Sequence, residues 1–161
     1  VHLPNIEEWC MSNYKKFSQC LERSVKHIFT HLFKDPSIDE VFEDVAFTKG
    51  KTVLIEMDGT VKGVLRIQLP DATIKSLAKT IDPDAKGKSA AATAEDVTGE
   101  MGNLIAGTLV NQLQYINHSI RLFPPEFGDD LIGTTTLYEN VSMTFGSVYG
   151  VFNVDLFYKE K

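Results

Sequence analysis

"GTVKGVLRIQL", residues 59–69, and "GSVYGVFNVDL", residues 146–156, are two versions of one pattern. Gly59/Gly146, Val61/Val148, Gly63/Gly150, Val64/Val151 and Leu69/Leu156 are identical when the two are laid together. In the first copy Val61, Gly63, Leu65, Ile67 and Leu69 alternate with Lys62, Arg66 and Gln68. Period-two alternation is what a strand with one buried face requires, because successive side chains point to opposite faces. Upstream, "TVLIEM" at 52–57 and the pair Asp58-Gly59 complete a predicted β-hairpin. Residues 136–145 and 148–157 read as a second hairpin, joined near Gly146.

Each hairpin follows a helix. Phe17, Cys20, Leu21, Ser24, Val25, Ile28, Phe29 and Leu32 make an amphipathic stripe over 14–33, with Pro36 to end it. A short helix is predicted over 71–79, and the polar run after it reads as a loop into a long helix over 93–117. Thr93 and Asp96 suggest a cap at its start. That helix is expected to bury Val97, Met101, Leu104, Ile105, Thr108, Leu109 and Ile116. "SVKHIFTHLF" from Ser24 lies over "EMGNLIAGTL" from Glu100, so the repeat extends to the helices and sets Ser24 on Glu100 and His27 on Asn103. The expectation is one α/β domain of the α+β type spanning 1–161. Its two helix–hairpin units, about 14–80 and 90–158, would form a mainly antiparallel sheet with two long helices packed on it. At this alignment the first strands of the two hairpins disagree in parity, so one turn or bulge must differ between them.

The bulk properties narrow the function. A net charge of −6 argues against nucleic acid and anionic membrane as main partners. No apolar run approaches the roughly 18 residues of a membrane span, and no signal peptide is read. Cys10 and Cys20 have neither the number nor the spacing of a disulfide framework or zinc site. A reducing, cytoplasmic setting is expected.

"DVTGEMGNLIAGTL", residues 96–109, poses a different problem: Gly99, Gly102 and Gly107 stand inside a predicted helix. Each costs roughly 1 kcal/mol relative to Ala. On a wheel advancing about 100° per residue, Asp96, Glu100, Asn103, Gly107 and Gln114 share one stripe opposite the apolar set. Gly107 falls between Glu100 and Asn103, one turn on, so nothing bulky shields the pair and a flat partner surface could reach it. Gly102 lies toward the apolar side, where it permits close packing. A carboxamide can accept a hydrogen bond from water while donating to another oxygen, and so hold that water for attack. A carboxylate one turn away offers a charge to a partner's ammonium group. Neither group is a nucleophile, so self-contained hydrolysis is not expected.

Other motifs are weaker. "DPDAKGKS", residues 82–89, ends like a phosphate-binding loop but has Asp82 where the first glycine is required. His27 and His31 stand one turn apart without a third ligand nearby, so no metal site is predicted. Asn117-His118-Ser119 is a glycosylation sequon without meaning inside a cell. Trp9, Tyr14 and Phe17 are expected in core or dimer packing.

The arrangement of Asp96, Glu100 and Asn103, with Pro124 downstream and two helix–hairpin units around it, resembles the CheC/CheX/FliY phosphatases of bacterial chemotaxis. The resemblance spans about 15–158, and its single intact motif in the second unit is most like CheX. It implies hydrolysis of the aspartyl phosphate on a CheY-like receiver domain. Asn103 would position the water, as a Gln does in GTPases, and Glu100 would pair with the receiver's Lys. Asp96, Gly107 and Pro124 would contact the partner. By the same resemblance this chain needs no cofactor, the receiver brings the Mg²⁺, and a homodimer is expected. The alternative is a non-catalytic CheX-like module that docks a receiver or only dimerises.

Overall fold

Alternation builds the sheet. The computed structural model describes residues 12–42, 49–81, 90–129, 135 and 137–160. Strands β2 (Gly50–Gly59) and β3 (Val61–Pro70) pair antiparallel, as do β6 (Glu139–Ser147) and β7 (Gly150–Glu160). The second strands of the two hairpins then pair with each other, Leu65 opposite Leu156 and Ile67 opposite Val154. Val53, Ile55 and Met57 of β2, Leu65, Ile67 and Leu69 of β3, and Phe152, Val154 and Leu156 of β7 all enter one core.

The two hairpins differ at their turns. In the first, Met57 faces Gly63 and residues 58–62 lie between them; in the second, Ser147 faces Gly150 across only Val148 and Tyr149. Val61 is therefore a buried strand residue, while its sequence counterpart Val148 is 68% exposed in a turn. The tight turn needs Gly150, whose φ of +130° disfavours an L side chain. The second turn thus sits at Val148-Tyr149, not at Gly146, and this difference in turn length is what shifts the parity of the first strands.

Helix α1 (Asn13–His31) is capped by Ser12, whose hydroxyl accepts from the Lys15 amide. It ends at His31, well before Pro36: Lys34 at φ 55° turns the chain, and the Asp35 amide donates to the Phe29 carbonyl. Asp35 then ties this corner to the distant turn, its carboxylate accepting from the Val148 amide at 2.9 Å. Burial works against ionising Asp35, but hydrogen bonds from Ser37 and Val148 outweigh it and hold its carboxyl below the usual range. Helix α2 (Asp71–Ile81) follows β3 directly. Helix α3 (Ala90–Gln114) begins three residues before Thr93, so Thr93 lies inside the helix and is not its cap. It packs on β2 and β3 and touches both α1 and α2. The residues predicted to continue it, 115–117, form a turn instead, closed by the His118 amide on the Leu113 carbonyl.

Three short strands complete the sheet. β1 (Asp39–Val41) pairs with β6; β4 (Ile120–Leu122) pairs with the C-terminal end of β2 and β5 (Glu126–Phe127) with its middle, at Val53 and Leu54. The sheet order is β1-β6-β7-β3-β2-β4, with every pairing antiparallel. "FPPEFG" at 123–128 does more than break the chain, since it carries β5 along the β2 edge.

Candidate functional site

The site is a helix face, and the packing beneath it decides which face that is. Val97, Met101, Ile105, Leu109 and Leu113 of α3 are buried, while Leu104, Thr108 and Ile116, expected in the core, lie at its margin. Asp96, Glu100 and Asn103 are all exposed on the opposite side. Among the described residues, no side chain pairs or hydrogen-bonds with Glu100 or Asn103. Both threonines near them are turned inward on the helix: Thr98 donates to the Ala94 carbonyl at 2.8 Å and Thr108 to the Leu104 carbonyl at 2.9 Å.

The three glycines have three explanations. A Cβ at Gly102 would come within 2.9 Å of Ile55 Cδ1 and 3.1 Å of Val53 Cγ1, both fully buried on β2. Gly102 is therefore a contact between helix and sheet, as its wheel position suggested. A Cβ at Gly99 would meet Phe127 Cζ at 3.4 Å, an ordinary van der Waals contact. A Cβ at Gly107 would meet nothing within 4 Å. The helix gives up stability there with no internal packing in return.

Pro124 is exposed in the segment leading to β5, which the Phe123 amide fastens to the Glu56 carbonyl at 2.9 Å. The sequence alignment of the helices does not carry the site across to α1. His27, set on Asn103, is exposed, but Ser24, set on Glu100, is fully buried and donates to the Cys20 carbonyl at 2.7 Å. The rings of His27 and His31 lie 4.7 Å apart between centroids, tilted by 49°, on the surface. Among the described residues no three His, Cys, Asp or Glu side chains gather in a metal-ligating group.

The remaining sequence motifs separate in the same way. Phe17 is core, packed on Tyr158 at 4.2 Å and His118 at 5.3 Å between ring centroids, whereas Tyr14 is half exposed. Cys20 is buried, and that burial pushes its thiol pKa up, against the opposing pull of Arg23, so it is not a reactive thiol. Trp9, Cys10 and the "DPDAKGKS" run lie outside the described residues. No helix among the described residues is long and apolar enough to cross a membrane.

An outward carboxylate and carboxamide one turn apart, on a helix whose next turn is bare, can do little to a small molecule on their own. They can reach into a cleft on another macromolecule. The comparisons with known proteins bear on the fold and the family. A chemotaxis protein CheX from Desulfovibrio desulfuricans superposes with a TM-score of 0.70 at 13% identity, covering 89% of this chain and 99% of that one. The CheX of Vibrio vulnificus gives 0.69 at 13% identity, with 92% and 100% covered. A CheX from Borrelia burgdorferi, in complex with CheY, BeF₃ and Mg²⁺, gives 0.66 at 18% identity, with 92% and 99% covered. No curated protein sequence matches significantly. The family model described as "Chemotaxis phosphatase CheX" matches residues 51–141, more than half of the chain. The fold is that of CheC/CheX/FliY-type proteins, and the chain belongs to the CheX family of chemotaxis phosphatases.

Proposed function

We propose that this chain hydrolyses the aspartyl phosphate of a CheY-like receiver domain, with Asn103 and Glu100 as the two working side chains. The observation that supports it best is the pairing of exposed Glu100 and Asn103, without partners among the described residues, with the surface those residues leave open at Gly107. In this reading α3 lies against the receiver and its outward stripe enters the phosphorylated cleft. The Asn103 carboxamide oxygen accepts a hydrogen bond from water, and its amide donates to an oxygen on the receiver, aligning that water with phosphorus. Glu100 pairs with the receiver's lysine and so sets the depth and angle of entry. The phosphoryl group and its Mg²⁺ belong to the receiver, which supplies the charge stabilisation that phosphoryl transfer needs. This chain adds position. Asp96, one turn before Glu100, and Pro124 border the same contact.

The test is the rate of phosphate loss from purified CheY-like receivers of the same genome, phosphorylated chemically, with and without this protein. Acceleration by wild type and its loss in Asn103→Ala, by roughly 10²-fold or more in kcat, is the expected result. Binding without acceleration for every receiver would leave a docking module and overturn the enzymatic reading.

A further inference from the structure

We infer that Phe127, packed at Gly99 one turn before Asn103, is the apolar anchor of the receiver-docking surface. The inference rests on the function proposed above and names a residue that the motif does not contain. Phe127 belongs to β5 and is opposite Val53 on β2. Val53 is the residue that Gly102 of α3 packs against, so Phe127 stands on the helix side of the sheet edge. Its Cζ would lie 3.4 Å from a Cβ at Gly99, which places the ring on the bare backbone turn at that position. Gly99 and Asn103 are four residues apart, about 40° on the helical wheel, with Asn103 lying between Gly99 and Glu100. The ring therefore flanks the pair on the Asn103 side.

Phe127 nevertheless remains 43% exposed. The strand that carries it is pinned to β2 at Val53 and Leu54, and the next amide, Gly128, donates to the Thr52 carbonyl at 3.0 Å. An aromatic ring held on a rigid strand loses little conformational entropy when a partner covers it, the property that favours aromatics at the centres of interfaces. The outward stripe of α3 offers no comparable group: Asp96, Glu100, Asn103, Gly107, Asn111 and Gln114 are polar or bare. Asp96 and Glu100, three residues before and one residue after Gly99 on α3, are exposed carboxylates, whereas Glu126 alternates to the other face of the sheet. The occupant this surface fits has an apolar patch bordered by cationic side chains. A receiver that presents a lysine to Glu100 meets that description, and contact at Phe127 continues directly from contact at Asn103.

The experiment is steady-state dephosphorylation of the receiver that wild type turns over, comparing Phe127→Ala and Phe127→Leu with Asn103→Ala, alongside thermal unfolding and light scattering of each variant. A docking anchor acts on association. Phe127→Ala should raise KM about tenfold or more, the scale of a truncated interface aromatic, with kcat within twofold of wild type. Phe127→Leu should recover most of that loss while unfolding at the wild-type temperature, and Asn103→Ala should lower kcat with KM nearly unchanged. Unchanged KM in Phe127→Ala overturns the anchor while leaving the Asn103 role intact. A fall in kcat alone overturns it too, because it means the ring merely supports α3. A shift in oligomeric state with unchanged KM assigns the ring to a contact between copies of this chain. If wild type turns over no receiver, the proposed function itself fails.

Discussion

Helices α1 and α3 lie on the same side of one sheet and touch each other, yet they meet their surroundings in opposite ways. Helix α1 packs through large side chains: Phe17 on Tyr158, and Phe29 stacked on Phe152 at 5.0 Å. Every position of its strong apolar stripe from Phe17 to Phe29 is closed, including Ser24, whose hydroxyl turns back to the helix. Helix α3 adds small residues to its buried stripe of Val97, Met101, Ile105, Leu109 and Leu113, with Gly102 on Ile55 and Val53 and with Ala106 wholly buried. Its outer face is correspondingly open, and Gly107 leaves a bare patch beside Glu100 and Asn103. The lesson is that sequence correspondence between the helices does not transfer a site. A functional face needs outward residues, and one that lies between core positions on α1 cannot provide them.

The sharpest way to break this comparison is to try to build the α3 pair on α1. Ser24→Glu with His27→Asn should create no second site. It should instead destabilise the protein by several kcal/mol, about 3 or more, because a carboxylate would replace a small hydroxyl in a closed position. Chemical denaturation reads this directly. A stable double variant with extra phosphatase activity would show that the two faces are interchangeable after all.

On α3 the corresponding charge change should be harmless to the fold and harmful to the partner. Glu100→Lys places a cation where the receiver's lysine is expected, on an exposed position with no partner to lose. Receiver affinity should fall about tenfold or more, with the unfolding midpoint nearly unchanged. Equal affinity at low and high salt would remove Glu100 from the interface.

The smallest effect is the most discriminating. Gly107→Leu should stabilise the fold slightly, by up to about 1 kcal/mol, because a helical glycine is replaced where nothing lies within 4 Å. The same change should obstruct docking, since the new side chain fills the bare patch. A variant that unfolds at higher temperature but no longer binds the receiver separates the two roles in one protein. A destabilised variant would mean that Gly107, like Gly102, serves the inside of the molecule.

Much of this was legible in the sequence because it depends on local periodicity. Alternation in 59–69 and 146–156 placed the central strands on their correct faces, since the side-chain period of a strand is two wherever the sheet ends up. The helical stripe of α1 and the outward position of Glu100 and Asn103 followed from a 3.6-residue repeat in the same way. The candidate pair was visible for a chemical reason as well: carboxylate and carboxamide are residue types a buried helix face has little use for. Even the mismatch between the hairpins was detectable as a parity conflict, although not its place.

Tertiary structure decided what depends on residues far apart in the chain. The short strands β1, β4 and β5 carry too few residues to show a period, and they exist because an edge of β6 or β2 offers unpaired backbone groups. The end of α1 was set by the turn at Lys34 and the ties from Asp35 and Tyr149 across to the second hairpin, not by Pro36. Phe127 came to Gly99 of α3 only because β5 pairs with β2 at Val53, the residue against which Gly102 of the same helix packs. The residues of the candidate site were written along one helix, whereas the surface around them was assembled by the sheet beneath it.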